Sequence, residues 1–591
     1  MYDVRVLGSA GRFAVLSLIA CSFLTACGGS ITVATPVAPV FTSTPITQAV
    51  EGTPYSYQPA ASGTAVTFSL TNAPTGATLS GNTISWTPTP QQSRVPDSFT
   101  VTATGAGGAS ATQSWTVTPS GTIRISWIDT LWDEGGSSTL HPVPFSSFVS
   151  ALVPQPDGSF QSFSGSLGAN GEFEIPNVPA GYYWLRIAPR ATYWTSSSTF
   201  DMGSDIFVPV ASGTAASSSM TSIDFSFTSL DPTAASGLLQ FDTPEEASLH
   251  FFAATNTGST TTSGQLAIGS NIDFSTIRNG FVRQYEPASF GPASGYVLGP
   301  ELTLSNLSLA TGGQNTISGA LNPTVPASIH LSVQGSAWAP LFDHVAPTAP
   351  TAIGGAFYLS VDPYIAADVP NLSGSDPIHL IRTKGSSLLG SSGFFAPIDP
   401  GCLQDQPLTM DIDAGTVQYS DPFPAAWRRT FRLCHAAPIT VPVPGTAQTA
   451  IINVTNDQTT LPPVVTVKPL LSGVLNPKIN GADLFTPITV NSIGVTLSWD
   501  PPAIGAPFGY DVAIMSPLAF PSGTVNYVSS TVLGTAKTSM AIPPNVLTPG
   551  RTYLFVITAL ADGKANMETS PHRSSLPIAN ADVLSAAITT N

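Results

Sequence analysis

Charged residues are scarce in this chain: Asp, Glu, Lys and Arg make up 9% of 591 residues, with a formal net charge of −16. A net negative chain gains no counterion release from phosphate backbones, so we expect no nucleic-acid partner. Hydrophobic residues reach 42%, which excludes a charge-driven disordered chain. The 51 Gly and 54 Pro exclude long helical bundles. The predicted fold class is all-β, with tandem β-sandwich modules in an extended, multidomain chain.

Catalytic and metal motifs are also missing. The sequence has no Gly-x-Ser-x-Gly elbow, no His-Glu-x-x-His zinc motif and no Gly-x-x-x-x-Gly-Lys-Ser/Thr phosphate loop. Asp411 and Asp413 alternate as at the start of a calcium loop, but later acidic ligands are lacking, which favours a polar turn. We therefore predict no catalytic residues, no metal site and no cofactor.

The N-terminal segment carries Arg5 and Arg12, then an apolar run over 13–24 that is too short to span a bilayer with its flanks. This pattern is typical of a secretory signal. The run closes with Leu-Thr-Ala-Cys, and this ending resembles the bacterial lipoprotein box. The resemblance implies cleavage before Cys27 and a diacylglycerol on its sulfur; the alternative is an ordinary signal peptide followed by a chance cysteine.

The lipoprotein-box resemblance also predicts where the exported protein is located. Gly28 rather than Asp after the cysteine implies, by the same resemblance, the outer membrane. We predict a signal peptide over 1–26, a lipidated Cys and flexible tether over 27–45, and an exported protein anchored at the outer membrane or cell surface.

Cysteine is rare, with 4 residues in the chain. Cys21 leaves with the signal and Cys27 carries the lipid, which leaves Cys402 and Cys434. An isolated pair in an oxidising compartment predicts a disulfide between them.

Short runs of alternating apolar and polar residues fill 46–119, with turn residues between them, which predicts half-buried strands. Glu51-Gly-Thr-Pro-Tyr-Ser-Tyr and Ile84-Ser-Trp-Thr-Pro lie in this segment. Their order resembles the immunoglobulin-like, cadherin-related modules of bacterial surface proteins, which implies a sandwich. Acidic residues are few here, so the calcium sites of cadherin junctions are not expected.

The segment 120–210 contains Gly171-Glu-Phe-Glu-Ile-Pro-Asn-Val-Pro-Ala-Gly-Tyr-Tyr-Trp, which resembles the carboxypeptidase regulatory-like sandwich. The resemblance implies a stalk or spacer and no peptidase activity. Four of the 9 Trp lie here. Trp132 and Trp194 are candidate ligand contacts if they are exposed, and core residues if they are buried.

The rest of the chain divides into two β regions without a recognised family, 211–345 and 346–461, the second holding the Cys pair, and a clearer module over 462–591. That last module resembles fibronectin type III domains, with Trp499 as the core tryptophan. Leu547 and Tyr553 have the spacing of the tyrosine corner, in which the hydroxyl bonds to backbone.

These features predict a membrane-anchored bacterial surface lipoprotein, structural, adhesive or ligand-binding, without catalysis. Its expected partners are the membrane, through the lipid, and a polysaccharide or surface protein. The alternative is an extracellular carbohydrate-active enzyme, or its carbohydrate-binding accessory, with a site in 120–460. We expect any recognition surface to lie in the middle of the chain, because the C-terminal turn Ala561–Lys564 has no aromatic anchor.

Overall fold

The protein is described here from a computed structural model. The described residues are 36–132, 138–143, 145, 149–187, 191–206, 220–232, 238–243, 248–254, 258–268, 274–323, 325–350, 352–362, 387–390, 409–422, 425, 428–444, 446–459, 464–519 and 525–591. Among them, no helix is long and apolar enough to cross a membrane. The described residues form two compact units, and the smaller unit comprises 36–46, 56–85 and 98–115.

Along the first eight strands the exposure of successive side chains alternates, as the period-2 pattern predicts. In the smaller unit, β7 lies between β4 and β8 in one sheet, β1 pairs with β3, and β5 pairs with β6. The strands are β1 (Val40–Phe41), β2 (Tyr55–Tyr57), β3 (Ala61–Ser62), β4 (Thr67–Asn72), β5 (Thr78–Ser80), β6 (Thr83–Trp86), β7 (Asp97–Thr104) and β8 (Ser110–Val117).

Aromatic rings form the core of the smaller unit. The rings of Phe99 and Trp115 stack with centroids 5.2 Å apart, and Tyr57 meets Trp115 edge-on at 5.1 Å. The Tyr57 hydroxyl donates to Gln113 Oε1 at 2.7 Å, so this ring is buried with its polar end satisfied.

The next sandwich along the chain belongs to the larger unit and begins at residue 121. We call the described parts of 121–206 module A. One sheet has the order β14-β15-β9-β18, and it packs on the sheet β13-β12-β16-β17 around Ile125, Leu185 and Phe200. The turn before β16 needs Gly181, whose φ is 107°. The strands are β9 (Gly121–Ser126), β10 (Ile128–Trp132), β11 (Ser138–Pro142), β12 (Val149–Pro154), β13 (Phe160–Ser164), β14 (Ser166–Leu167), β15 (Phe173–Val178), β16 (Tyr183–Ile187), β17 (Ala191–Thr195), β18 (Thr199–Asp201) and β19 (Asp205–Ile206).

Module B comprises the described parts of 220–321, with a core that includes Phe227, Phe241 and Ile317. β20 pairs with β23 and β26, and β21 lies between β22 and β24. One 3-10 helix covers Phe274–Thr276. The strands are β20 (Thr221–Thr228), β21 (Leu238–Thr243), β22 (Ser248–Ala254), β23 (Thr261–Ile268), β24 (Gly280–Phe290), β25 (Ala293–Leu304) and β26 (Gln314–Ala320).

Module C comprises the described parts of 325–467. β27 pairs with β30 and β33, so strands from both sides of residue 345 share one sheet. The long strands β31 and β32 form a hairpin, and β28 pairs with β31. Two 3-10 helices cover Gly335–Ala337 and Ala339–Phe342. The strands are β27 (Pro326–Gln334), β28 (Gly354–Asp362), β29 (Ser387–Gly390), β30 (Asp411–Ser420), β31 (Arg428–Val443), β32 (Thr446–Thr459) and β33 (Val464–Val467).

Module D comprises the described parts of 468–591 and has two sheets, ordered β35-β34-β37-β40 and β39-β38-β41-β42. This arrangement is fibronectin-like. The strands are β34 (Leu475–Ile479), β35 (Ala482–Asp483), β36 (Ile488–Val490), β37 (Thr496–Asp500), β38 (Gly509–Ala519), β39 (Val525–Thr535), β40 (Ser539–Ala541), β41 (Thr552–Ala561), β42 (Ile578–Leu584) and β43 (Ile588–Thr590).

The aromatic signals of module D are confirmed. Trp499 is 4% exposed and meets Tyr510 edge-on at 5.2 Å, as expected of a core tryptophan. The backbone N–H of Thr548 donates to the Tyr553 hydroxyl at 2.8 Å, which is the predicted side-chain-to-backbone bond of the tyrosine corner. The all-β sandwich class is therefore confirmed, and residues far apart in sequence add contacts that a tandem series does not predict.

Candidate functional site

Modules A and D share a sheet. β17 pairs with β39 in parallel, from Ala191 opposite Val532 to Trp194 opposite Thr535. Trp184 in β16 is fully buried, and its Nε1 donates to the Ala541 carbonyl at 3.1 Å. A fully buried indole with its N–H satisfied stabilises this contact through both burial and hydrogen bonding.

The segment between β41 and β42, residues 562–577, contacts module A by charge pairs; we call it the 562–577 loop. Arg573 pairs with Asp201 at 2.7 Å and donates to the Thr130 hydroxyl and the Ile128 carbonyl. Lys564 Nζ lies 2.8 Å from Asp205, whose side chain is fully buried. This loop begins in the C-terminal turn where we expected no recognition surface, and it is a main contact of module D with module A.

The two candidate tryptophans lie in module A. Trp194 is half-buried, with its ring 5.6 Å from Tyr182 and 5.1 Å from Trp184, centroid to centroid. It thus takes part in the aromatic cluster beside module D. Trp132 ends β10, and its side chain lies outside the described residues. A ligand role for either remains a prediction.

Cys27, the predicted lipid site, and Cys402 lie outside the described residues. Cys434 lies in β31, is 2% exposed and is disulfide-bonded. Its pairing with Cys402 remains a prediction.

Basic residues near Cys434 pair with carboxylates. Arg429 reaches Asp421 at 2.8 Å, and the Arg432 guanidinium binds both carboxylate oxygens of Asp457 across the β31–β32 hairpin. Asp413, from the faint calcium motif, lies 3.0 Å from His330 Nε2. Among the described residues no group of three or more His, Cys, Asp or Glu could hold a metal ion.

A cleft of about 500 Å³ lies between module C and module D. Its size falls within the usual range of small-molecule pockets, roughly 300–1,000 Å³. Strands β31 and β32 supply one side, and β41, β42 and the 562–577 loop supply the other. Its lining residues are Arg432, Asn453, Thr455, Asp457, Phe508, Leu560, Ala561, Asp562, Ala565, Pro571, His572, Arg573, Ser574, Ile578, Ala579 and Asn580.

The charged groups of the cleft are held by protein partners. Asp457 accepts two charge-assisted hydrogen bonds from Arg432. Asp562 accepts from the backbone N–H groups of Lys564, Ala565 and Ser575, and from the Ser574 hydroxyl. The cleft therefore presents a fixed set of polar groups, an arrangement suited to hydrogen bonding.

The cleft was not predicted from the sequence. Arg432 and Asp457 belong to one hairpin, whereas Asp562 lies in the 562–577 loop and Asn580 lies in β42. Pairing of β32 with β42 brings these distant residues together.

Two carboxyl groups away from the cleft have raised pKa values. Burial, followed by the neighbouring Asp231 carboxylate, raises the pKa of Glu286 to about 7. Burial in β38 raises the pKa of Asp511 to about 6. Each folded-state pKa exceeds the ordinary value, so ionisation of these groups works against the folded state.

The Asp511→Asn variant should flatten the pH dependence of stability. Because the folded-state pKa is raised, the Asp511 carboxyl contributes to the free energy of unfolding fully below about pH 4, and this contribution is lost as the pH rises through about 6. At pH 7.5 the variant should melt a few degrees above the native protein, and near pH 4 the two should coincide. Calorimetric scans across this range measure the difference. Asp500→Asn, at an exposed position in β37, is the control; equal slopes for the native protein and Asp511→Asn would contradict the prediction.

Residues 38–120 match the family described as "Putative Ig domain". This segment is therefore Ig-like, and it belongs to an all-β multidomain chain. No curated protein matches its sequence. Structural neighbours include cadherin domains 3–6 of protocadherin gamma B2, with 10% identity, TM-score 0.14 and coverage of 73% of this chain and 100% of that one.

Two further neighbours have similar scores. The eight N-terminal Ig domains of Down syndrome cell adhesion molecule are 10% identical with a TM-score of 0.13, covering 94% of this chain and 63% of that one. Bacteroides ovatus SGBP-B, solved with a mixed-linkage heptasaccharide, is 10% identical with a TM-score of 0.11, covering 66% and 96%. Because these TM-scores are low, the fold is assigned from the strand pairings described above.

Proposed function

We propose that this Ig-like protein is a non-catalytic surface lipoprotein that binds a ligand or partner for adhesion or display. The observation that carries the proposal is the cleft of about 500 Å³ between modules C and D, whose charged side chains are already held by protein partners. Ig-like modules are typical of binding and adhesive proteins, although a fold alone does not establish a function.

The charges of the cleft favour binding over catalysis. A carboxylate that acts as a nucleophile or general base must be free to reach the reacting atom. Asp457 is committed to Arg432, and Asp562 accepts four donors from its own loop. Fixed and compensated groups recognise a ligand by shape and hydrogen bonds.

The enzyme alternative needs two carboxyl groups close together, and in the described part of 120–460 one such pair shares a hydrogen bond. Glu286 and Asp231 share a side-chain hydrogen bond. Glycosidases place their two carboxyl groups about 5 to 10 Å apart, with the sugar between them. A direct hydrogen bond leaves no room for a sugar, so this pair favours a structural role.

Anchoring at the outer membrane or cell surface, through a lipid on Cys27, completes the proposal. Its support is the lipoprotein-box resemblance and the apolar run before it. Two or three acyl chains, at about 0.8 kcal/mol per buried methylene, make such anchoring effectively permanent. The compensated cleft then faces a polysaccharide or a surface protein, and nucleic acid is disfavoured by the net charge of −16.

The Cys27→Ser variant should move the protein from the membrane fraction to the soluble fraction, because it removes the sulfur that takes the lipid. Detergent-phase partitioning of cell extracts measures this, and Ser30→Ala is the control. The released, soluble protein should still bind isolated cell envelopes in a pull-down. Retention of Cys27→Ser in washed membranes would contradict the anchor, and absence of envelope binding would contradict the binding function.

A further inference from the structure

The cleft between modules C and D presents side chains to a ligand, whereas the backbone N–H and C=O groups of its floor are already paired. Its floor is formed where β32 and β42 pair, from Val454 opposite Ala581 to Asp457 opposite Ile578. Main-chain groups paired in a ladder cannot add a further strand. A peptide bound as an added strand needs a free sheet edge, so this floor disfavours that mode of recognition.

Charge compensation selects against an ionic ligand. Arg432 is held by Asp457, and Arg573 is held by Asp201. The Asp562 carboxylate accepts four hydrogen bonds from its own loop, which occupy its lone pairs. A charged ligand would compete with these partners and would also lose its own hydration. The cleft therefore favours a neutral ligand with many hydrogen-bonding groups.

One amide in the cleft is available to such a ligand. Asn580 lies in β42 and lines the cleft. Within the described part of the chain, its side chain has no hydrogen-bond partner. An amide offers two donors and an acceptor, which matches hydroxyl groups that donate and accept at once. An amide left unpaired at a protein cleft is readily satisfied by a hydroxyl ligand.

The apolar part of the lining complements these polar groups. Phe508, Pro571 and Ile578 present carbon surface beside Asn580 and Asn453. Sugar rings combine C–H faces with equatorial hydroxyls, so they meet both kinds of surface at once. We propose that the cleft binds a neutral oligosaccharide, with Asn580 donating to and accepting from its hydroxyls; this rests on the proposed binding function.

The test measures binding of neutral tetrasaccharides to the soluble Cys27→Ser protein. Cellotetraose, laminaritetraose, maltotetraose, xylotetraose and mannotetraose are titrated by calorimetry up to millimolar concentration. At least one should bind, and Asn580→Ala should weaken its binding by about three- to tenfold, the effect of losing one or two hydrogen bonds. Asn580→Asp, of nearly the same volume, should weaken it similarly because donors are lost.

Asn526→Ala is the matched control, since Asn526 is an exposed asparagine on β39 that does not line the cleft. It should bind as the native protein does, and melting curves should show that all variants fold. Equal binding by Asn580→Ala and the control would overturn the site. Tighter binding of an oligogalacturonate would overturn the neutral class. Absence of tetrasaccharide binding would overturn the inference, and the envelope pull-down reports separately on the proposed function.

Discussion

Trp184→Ala should lower the free energy of unfolding of the A–D contact by about 3–5 kcal/mol, the usual cost of deleting a buried aromatic. Trp184 is fully buried, its ring packs 5.1 Å from that of Trp194, and its Nε1 binds the Ala541 carbonyl. Truncation leaves a cavity and an unpaired carbonyl at the same place. Calorimetry should show the transition of modules A and D at lower temperature.

Trp184→Phe is the matched control, because it keeps an aromatic ring and removes the hydrogen bond. Its cost should be smaller than that of the alanine variant. Hydrogen exchange of the β17 and β39 amides should rise most in Trp184→Ala, since their ladder loses its packing support. Unchanged exchange in these two strands would show that Trp184 does not support the contact.

Arg283→Met should destabilise module B by about 3–5 kcal/mol, because it leaves a buried carboxylate without its partner. Arg283 is 1% exposed and Glu301 9% exposed, and Arg283 Nε lies 2.8 Å from Glu301 Oε2. The pair joins neighbouring strands β24 and β25. Denaturant unfolding followed by fluorescence measures the loss.

The double variant Arg283→Met/Glu301→Leu distinguishes an unpaired buried charge from altered packing as the cause of the lost stability. A hydrophobic pair often replaces a buried ion pair at little cost, so the double variant should recover most of the lost stability. Arg429→Met, whose partner Asp421 is less buried, should cost less than Arg283→Met. If the double variant is as unstable as the single variant, the loss of stability is caused by altered side-chain packing, and the unpaired charge is not its cause.

Local signals predicted the sandwich folds well. The alternation of Phe99, Val101 and Ala103 places each of them in the core, because side chains along a strand point to opposite faces in turn. The spacing of Leu547 and Tyr553 predicted the tyrosine corner, since the turn and its hydroxyl bond depend on residues close in sequence.

Long-range pairing was beyond these signals. Nothing in the sequence of β17 shows that it will hydrogen-bond to β39. Parallel strands are not joined by a short turn, so no local sequence signal identifies the partner strand. The same holds for β32 with β42, which creates the cleft. Tryptophan content singled out module A, but whether Trp184 packs against its own module or another depends on that pairing.

The parallel ladder between β17 and β39 also sets how mechanical tension would travel through the larger unit. Tension applied between the start of module A and module D would cross four residue pairs, from Ala191–Val532 to Trp194–Thr535, together with the Arg573–Asp201 and Lys564–Asp205 ion pairs. Module B lies outside that route. A surface protein loaded in this way would keep module B folded under tension until the ladder yields.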